Sequence, residues 1–261
     1  MIKEIMFLLI IIFFYVHIHF HLNTNNDLDI IRFDKELDKQ ELEKVCSLKQ
    51  PMRFLYKNSH NVDKLTNSMN ESVNVRQISG KSYVSLNLKG ATVLMENDKT
   101  YYSDNNTTLV DFYSDKQEDS FLKPAMSLID DDDIIIGARD SQYPVRKMYH
   151  YRNYFYLASG NVKITLYAPN NNFKSENVTE DHVMLEYTVT PEKNKNYKSK
   201  SIEMKSGEYL FVPSYWYVQI EFLETSYIMT HKYQTIMSTV SFMPEYIKHY
   251  FKRENRVVKV K

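Results

Sequence analysis

The sequence predicts an all-β-dominated chain, a barrel or sandwich with flanking helices and a separate hydrophobic helix at its amino end. Three observations predict it. Asn153–Pro169 reads as a strand, a turn at Gly160-Asn161 and a second strand closed by proline. Gly207–Trp216 reads as a turn, a short apolar strand and an aromatic knot around Pro213. Aromatic residues make up 14% of the chain, with 21 Tyr and 14 Phe against 5 Gly, a composition that suits packed strands.

The amino end, residues 1–24, stands apart from this domain. Ile5–Val16 is unbroken apolar sequence, and Ile18, Phe20 and Leu22 extend it past His17, His19 and His21. From Ile5 to Leu22 the run is 18 residues, long enough to cross a bilayer. His21-Leu22-Asn23-Thr24 offers no pair of small residues for cleavage, so a signal anchor is preferred to a cleaved signal, which stays as the alternative. Lys3 is offset by Glu4, so charge orients the segment only towards a cytoplasmic amino end and a translocated body. The three histidines alternate and cannot converge on one ion from a single helix, so they read as interfacial residues.

Residues 25–261 form one domain, with its barrel over roughly 50–243. Asp38 followed by Glu41 has capping-box spacing, and Leu42, Val45 and Leu48 give the helix an apolar face that Pro51 ends. Strands are predicted at Met52–Tyr56, Val73–Ile78, Tyr83–Leu88 and Ala91–Met95, punctuated by Gly80 and Gly90. Thr107–Met126 is predicted helical with a break near Pro124, burying Leu109, Phe112, Tyr113 and Phe121. Asp130–Asp133 lacks the glycine and distal Glu of a calcium loop, and reads as a solvated turn before the strand Ile134–Gly137. His182–Val189 is a strand or a short helical turn, and Lys193–Ser201 is a charged, mobile insertion. Ile228–His231 and Ile236–Phe242 complete the strands. Pro244 opens a last amphipathic helix carrying Tyr246, Ile247, Tyr250 and Phe251 on one face.

Composition excludes several classes of function. With 33 basic and 33 acidic residues, no global field recruits nucleic acid or an anionic membrane. The single cysteine, Cys46, excludes an internal disulfide and a multi-cysteine zinc site; it reads as a buried apolar residue. Asn70, Asn105, Asn106 and Asn177 open Asn-x-Ser/Thr sequons in polar stretches and are N-glycosylation candidates if the body is translocated.

Together the two leading segments resemble the JmjC/cupin-like family of 2-oxoglutarate oxygenases. Its jelly-roll barrels carry an N-F-F-x-x-x-x-G-x-K hairpin and a G-D-x-L-x-I-P-x-x-W-W-H strand. Here they read Asn153-Tyr-Phe-Tyr-Leu-Ala-Ser-Gly160 and Gly207-Glu-Tyr-Leu-Phe-Val-Pro-Ser-Tyr-Trp216. The helix leading into Lys49-Gln50-Pro51 is also similar to the entry of such domains, so the resemblance spans about Asp38 to Phe251. It implies a double-stranded β-helix with Phe155, Leu157, Ile164, Leu166, Leu210, Val212 and Trp216 in or beside its core.

The resemblance also implies an iron held by two His and a carboxylate, with positions open for 2-oxoglutarate. Counting back from Asn153 places the first two ligands at Lys147 and Tyr149; counting forward from Gly137 gives Arg146 and Met148. The second His position falls at Val218. None of these residues suits iron, so no metal, no cofactor and no catalytic residue are expected. Asn153, Lys163 and Trp216 remain pocket candidates; Lys163 is offset by one from the Lys that in the family pairs with the oxo-acid. The expected function is therefore a membrane-anchored binding or scaffolding module for a protein or carbohydrate partner, not an enzyme. Two alternatives stand beside it. One is an active hydroxylase with unusual ligands drawn from His150, His182, His231, Glu186 and Glu208. The other is a surface glycoprotein binding through exposed Tyr149, Tyr151 and Tyr217.

Overall fold

The computed structural model describes residues 2–56, 69–80, 82–113, 116–171, 173, 178–181, 186–192 and 195–254. It begins with helix α1 (Ile2–Leu22), whose stretch Lys3–Leu22 is long and apolar enough to cross a membrane. Strand β1 (Ile31–Glu36), helix α2 (Lys39–Ser47) and strand β2 (Met52–Leu55) follow. Asp38 caps α2 by the reciprocal box with Glu41, as the spacing predicts. Leu42 and Cys46 are buried beneath it, whereas Leu48, predicted on its apolar face, is the C-cap and is 55% exposed.

Next come β3 (Ser72–Gln77), β4 (Val84–Asn87), helix α3 (Leu88–Asn97), β5 (Tyr101–Ser103) and helices α4 (Thr107–Tyr113) and α5 (Lys116–Leu122). The predicted strand Ala91–Met95 is thus helical. Asn87 accepts a hydrogen bond from the Gly90 amide as N-cap, and buried Leu88, Ala91 and Met95 recur at helical spacing. Gly90 sits inside this helix instead of marking a turn.

The remaining strands are β6 (Ser127–Gly137), β7 (Gln142–Lys147), β8 (Arg152–Ser159), β9 (Asn161–Tyr167), β10 (Val178–Asp181), β11 (Glu186–Val189), β12 (Ser199–Lys205), β13 (Glu208–Pro213), β14 (Tyr217–Phe222) and β15 (Ser226–Thr235). Helix α6 (Ile236–Glu254) ends the described chain. Asp130–Asp133 lies within β6, paired residue for residue with β15, and is no turn. Four carboxylates are tolerated there because alternate ones face different layers and find donors. The end of the predicted mobile insertion, Ser199–Ser201, belongs to β12, paired with β9. Ile236–Phe242 is helical because Thr235 and Ser238 cap it reciprocally: each backbone N–H donates to the other's hydroxyl, at 2.8 and 3.2 Å. The strands therefore end at Thr235, and Pro244 lies inside α6 instead of opening it.

Two sheets result. The larger runs β1-β2-β13-β8-β15-β6-β5-β3-β4, the smaller β10-β11-β7-β14-β9-β12. From β6 to β9 the chain alternates between them, and from β12 to β15 it does so again. Gly160 makes one such corner. Its φ is +94°, and a Cβ there would overlap the Ser226 side chain of β15. Accordingly β8 and β9 are not a hydrogen-bonded hairpin but partners in different sheets.

Three layers of side chains follow from strand alternation. Phe155, Leu157, Ile164, Leu166, Leu210, Val212 and Trp216 pack between the sheets, as predicted. The other face of the larger sheet, with Phe54, Tyr154, Tyr156, Tyr209 and Phe211, is covered by Leu42 and Cys46 of α2, Ala91 and Met95 of α3 and Leu122 of α5. Each such fully buried apolar side chain contributes about 1.5–3 kcal/mol. Leu109 is buried and Phe121 packs against this cluster, as predicted; the side chains of Phe112 and Tyr113 lie outside the described residues.

Candidate functional site

The positions that the resemblance would give to metal ligands lie where β7 runs beside β14. Val218 pairs with Arg146, and Tyr217 with Lys147. Partners in register share a face of the sheet. Val218 is fully buried between the sheets with Trp216 and Met148, whereas Tyr217 packs on the outer face with Val145 and Val189. Arg146 and Met148 therefore belong to the interior, and Lys147 and Tyr149 to the other side. The two counts thus fall on different faces: the count from Gly137 falls on inward residues and the count from Asn153 on outward ones.

On the outer side Lys147 is spoken for. Its ammonium lies 5.2 Å from the Tyr149 ring and 5.6 Å from those of Tyr215 and Tyr217. Burial, reinforced by neighbouring Tyr187 and Glu245, drives the Tyr149 phenol far above its usual range, so it stays protonated and ligates poorly. Tyr217 is buried, and Tyr151 packs edge-on against His21 at 4.9 Å. Tyr149 and Tyr151 are half-buried, Tyr149 against Tyr187, Tyr215 and Phe242, so the three tyrosines are not the exposed platform expected for a carbohydrate or protein partner.

Inside, a buried charge cluster fills the space beside Val218. Arg146 donates from Nη2 to Asp104 Oδ2 at 3.0 Å and to the Tyr102 hydroxyl at 3.2 Å. Arg76 donates to the same carboxylate oxygen at 2.8 Å. The Arg146 and Asp104 side chains are both 0% exposed. Rings wall the cluster: Arg76 lies 4.6 Å from Tyr83, and Arg146 5.0 Å from Tyr143. Asp104 is carried by the bend after β5, where Asn105 has φ +59°. Nearby Asp133 accepts from the Asn105 and Asn106 amides at 2.9 and 2.6 Å. Burial pushes its carboxyl up to about 6, against the opposing pull of Lys232 and those amides. Sequence reading missed this cluster, because Arg76, Asp104 and Arg146 lie far apart in the chain and no local spacing links them.

An iron with two imidazoles and a carboxylate does not fit these residues. Arg146 places a permanent cation at one inward position, Met148 offers only a thioether, and Val218 has no donor atom. Among the described residues no group of three or more His, Cys, Asp or Glu is arranged to hold a metal ion. Of the alternative ligands, the described His150, His231 and Glu208 are not brought together. His231 lies in β15 on the helix-covered face; its Nδ1 is 3.0 Å from Asp132 and its Nε2 3.5 Å from Glu118 of α5. Glu208 opens β13, where it pairs with Arg53 at 3.3 Å, while His150 precedes β8 near the opposite end of β13. His182 and the Glu186 side chain lie outside the described residues.

The three pocket candidates separate. Asn153 is buried and clamps two strands by donating to the His150 and Val212 carbonyls, each at 3.0 Å. Trp216 is buried in the inter-sheet core. Lys163 faces outward and pairs with Glu221 at 3.1 Å, so it does not line the interior. Among the sequons, Asn70 is exposed and Asn105 half-buried. Asn106 is buried, its side-chain amide donating to Ser103 Oγ and the Ile134 carbonyl, so a glycan there would break at least one of these bonds. Asn177 lies outside the described residues.

No protein-family model matches the chain, and no curated protein matches it.

Proposed function

We propose that this chain is a membrane-anchored barrel of the cupin/JmjC-like kind that has lost iron chemistry and serves as a binding or scaffolding module. The observation that carries the reading is Arg146, buried at an inward position and ion-paired to Asp104. A double-stranded β-helix places eight strands alternately in two sheets. The inner strand orders β13-β8-β15-β6 and β7-β14-β9-β12 accord with that plan and support the resemblance. The apolar helix α1 supports membrane attachment. The packed barrel offers a rigid frame, and its loops and outer face would contact a protein partner.

Restoring ligands tests both the fold and the register. The variant Arg146→His/Met148→Asp/Val218→His should gain Fe(II) or Mn(II) binding, seen by calorimetry, while Lys147→His/Tyr149→Asp/Val218→His should gain none. Circular dichroism checks that each variant is folded. Metal binding by the second variant alone would reject the register.

A further inference from the structure

Helix α6 carries an apolar stripe that is largely exposed to solvent. Met243, Ile247 and Phe251 are 48%, 48% and 58% exposed. At 3.6 residues per turn they fall, with Ile236, inside an arc of about 80° on one side of the helix. The opposite side is buried, through Ser238, Ser241 and Phe242. At its first turn the stripe continues onto Met126, 75% exposed, whose carbonyl accepts a hydrogen bond from the Ile236 amide at 3.3 Å. Contiguous apolar surface of this kind marks an interaction site.

Two observations identify what covers it. First, α6 packs against α1, the helix apolar enough to span a bilayer. The end of α1 is also fastened to the barrel: Lys49 donates to the Phe20 carbonyl and, at 2.7 Å, to that of Asn23. The stripe therefore belongs to the part of the domain nearest the point where α1 leaves it. Second, the last two turns of α6 carry three basic residues, Lys248, Lys252 and Arg253, against one acid, Glu254. An apolar stripe beside a basic segment has the chemistry of an interfacial helix on anionic lipid.

We propose that α6 lies in the headgroup region of the bilayer that α1 enters, its stripe towards the acyl chains and the basic end against anionic phospholipids. This rests on the reading of α1 as a membrane anchor. The barrel is then held at two points and sits at a fixed tilt to the membrane.

The test uses the full chain reconstituted in phosphatidylcholine vesicles with and without phosphatidylserine. An environment-sensitive fluorophore is attached at Ile247→Cys or, as a control, at Glu203→Cys on β12; Cys46, 2% exposed, stays unlabelled in the folded protein. Flotation of the vesicles reports the anchor separately. The expected result is flotation of both proteins, with quenching by brominated lipid several-fold greater at position 247 than at 203 and increased by phosphatidylserine. Flotation with equal quenching overturns this proposal and spares the anchor. A blue-shifted but unquenched probe at 247 means a second copy or another protein covers the stripe, and also overturns it. Failure to float overturns the anchor and this proposal together.

Discussion

Single residues decide the chemistry of this two-sheet fold, and the clearest are charged groups placed where strands alternate inward. Arg146 and Asp104 occupy the inter-sheet space as a buried pair, so removing either would strand a charge. His231 plays the matching part on the helix-covered face, between Asp132 and Glu118, with Tyr209 donating to Glu118 and Tyr233 to Asp119. Burial alone would lower its pKa, but the hydrogen bond to Asp132 and the Glu118 carboxylate outweigh that and raise it to about 10. The folded state thus holds this proton to higher pH than the unfolded chain. The resulting stabilisation is whole below pH 6.5 and fades as pH climbs towards 10. Asp133 contributes a separate fall between pH 3.8 and about 6, because its raised pKa also favours the protonated folded form. Urea unfolding across pH 6–10 should show the His231 slope. His231→Leu should remove it and cost about 3–5 kcal/mol at pH 6. An unchanged slope in that variant would assign the dependence elsewhere.

Elements were legible in the sequence where local chemistry and burial agreed. The α2 capping box, the strands around Gly160 and the Gly207–Pro213 strand all fall where turn and cap residues place them. The reading failed where β-branched or apolar residues hid a cap. Asn87 starts α3 and Thr235 starts α6, and both segments had looked like strands. It failed again at Asp130–Asp133, where charge suggested solvent but pairing with β15 supplies a strand. The interior register at β7 was half legible: two counts were possible, and only the pairing of Arg146 with Val218 separates them. The Gly160 corner gives a direct test of the sheet-to-sheet connection. Gly160→Ala meets both an unfavourable φ and the Ser226 side chain, and should destabilise by about 2–4 kcal/mol. Gly207→Ala, with φ +90° but open space around it, should cost only about 1–2 kcal/mol. Equal losses in chemical denaturation would argue against the close approach of β8, β9 and β15.

At the scale of the molecule, an apolar helix and a β-rich domain with two packed sheets are joined by a short connection that Lys49 holds in place. Carbonate extraction of full-length protein should leave it in the membrane pellet, whereas release of a form beginning near Asn23 would favour a cleaved signal. We propose that a barrel of the cupin/JmjC-like kind persists here without iron, with Arg146, Met148 and Val218 at the inward positions. The most direct measurement is the iron content of full-length protein loaded anaerobically with Fe(II) and 2-oxoglutarate and then desalted. The account predicts iron far below one per chain and no succinate release on exposure to oxygen. One iron per chain with succinate formed, both abolished by His150→Ala, would contradict it.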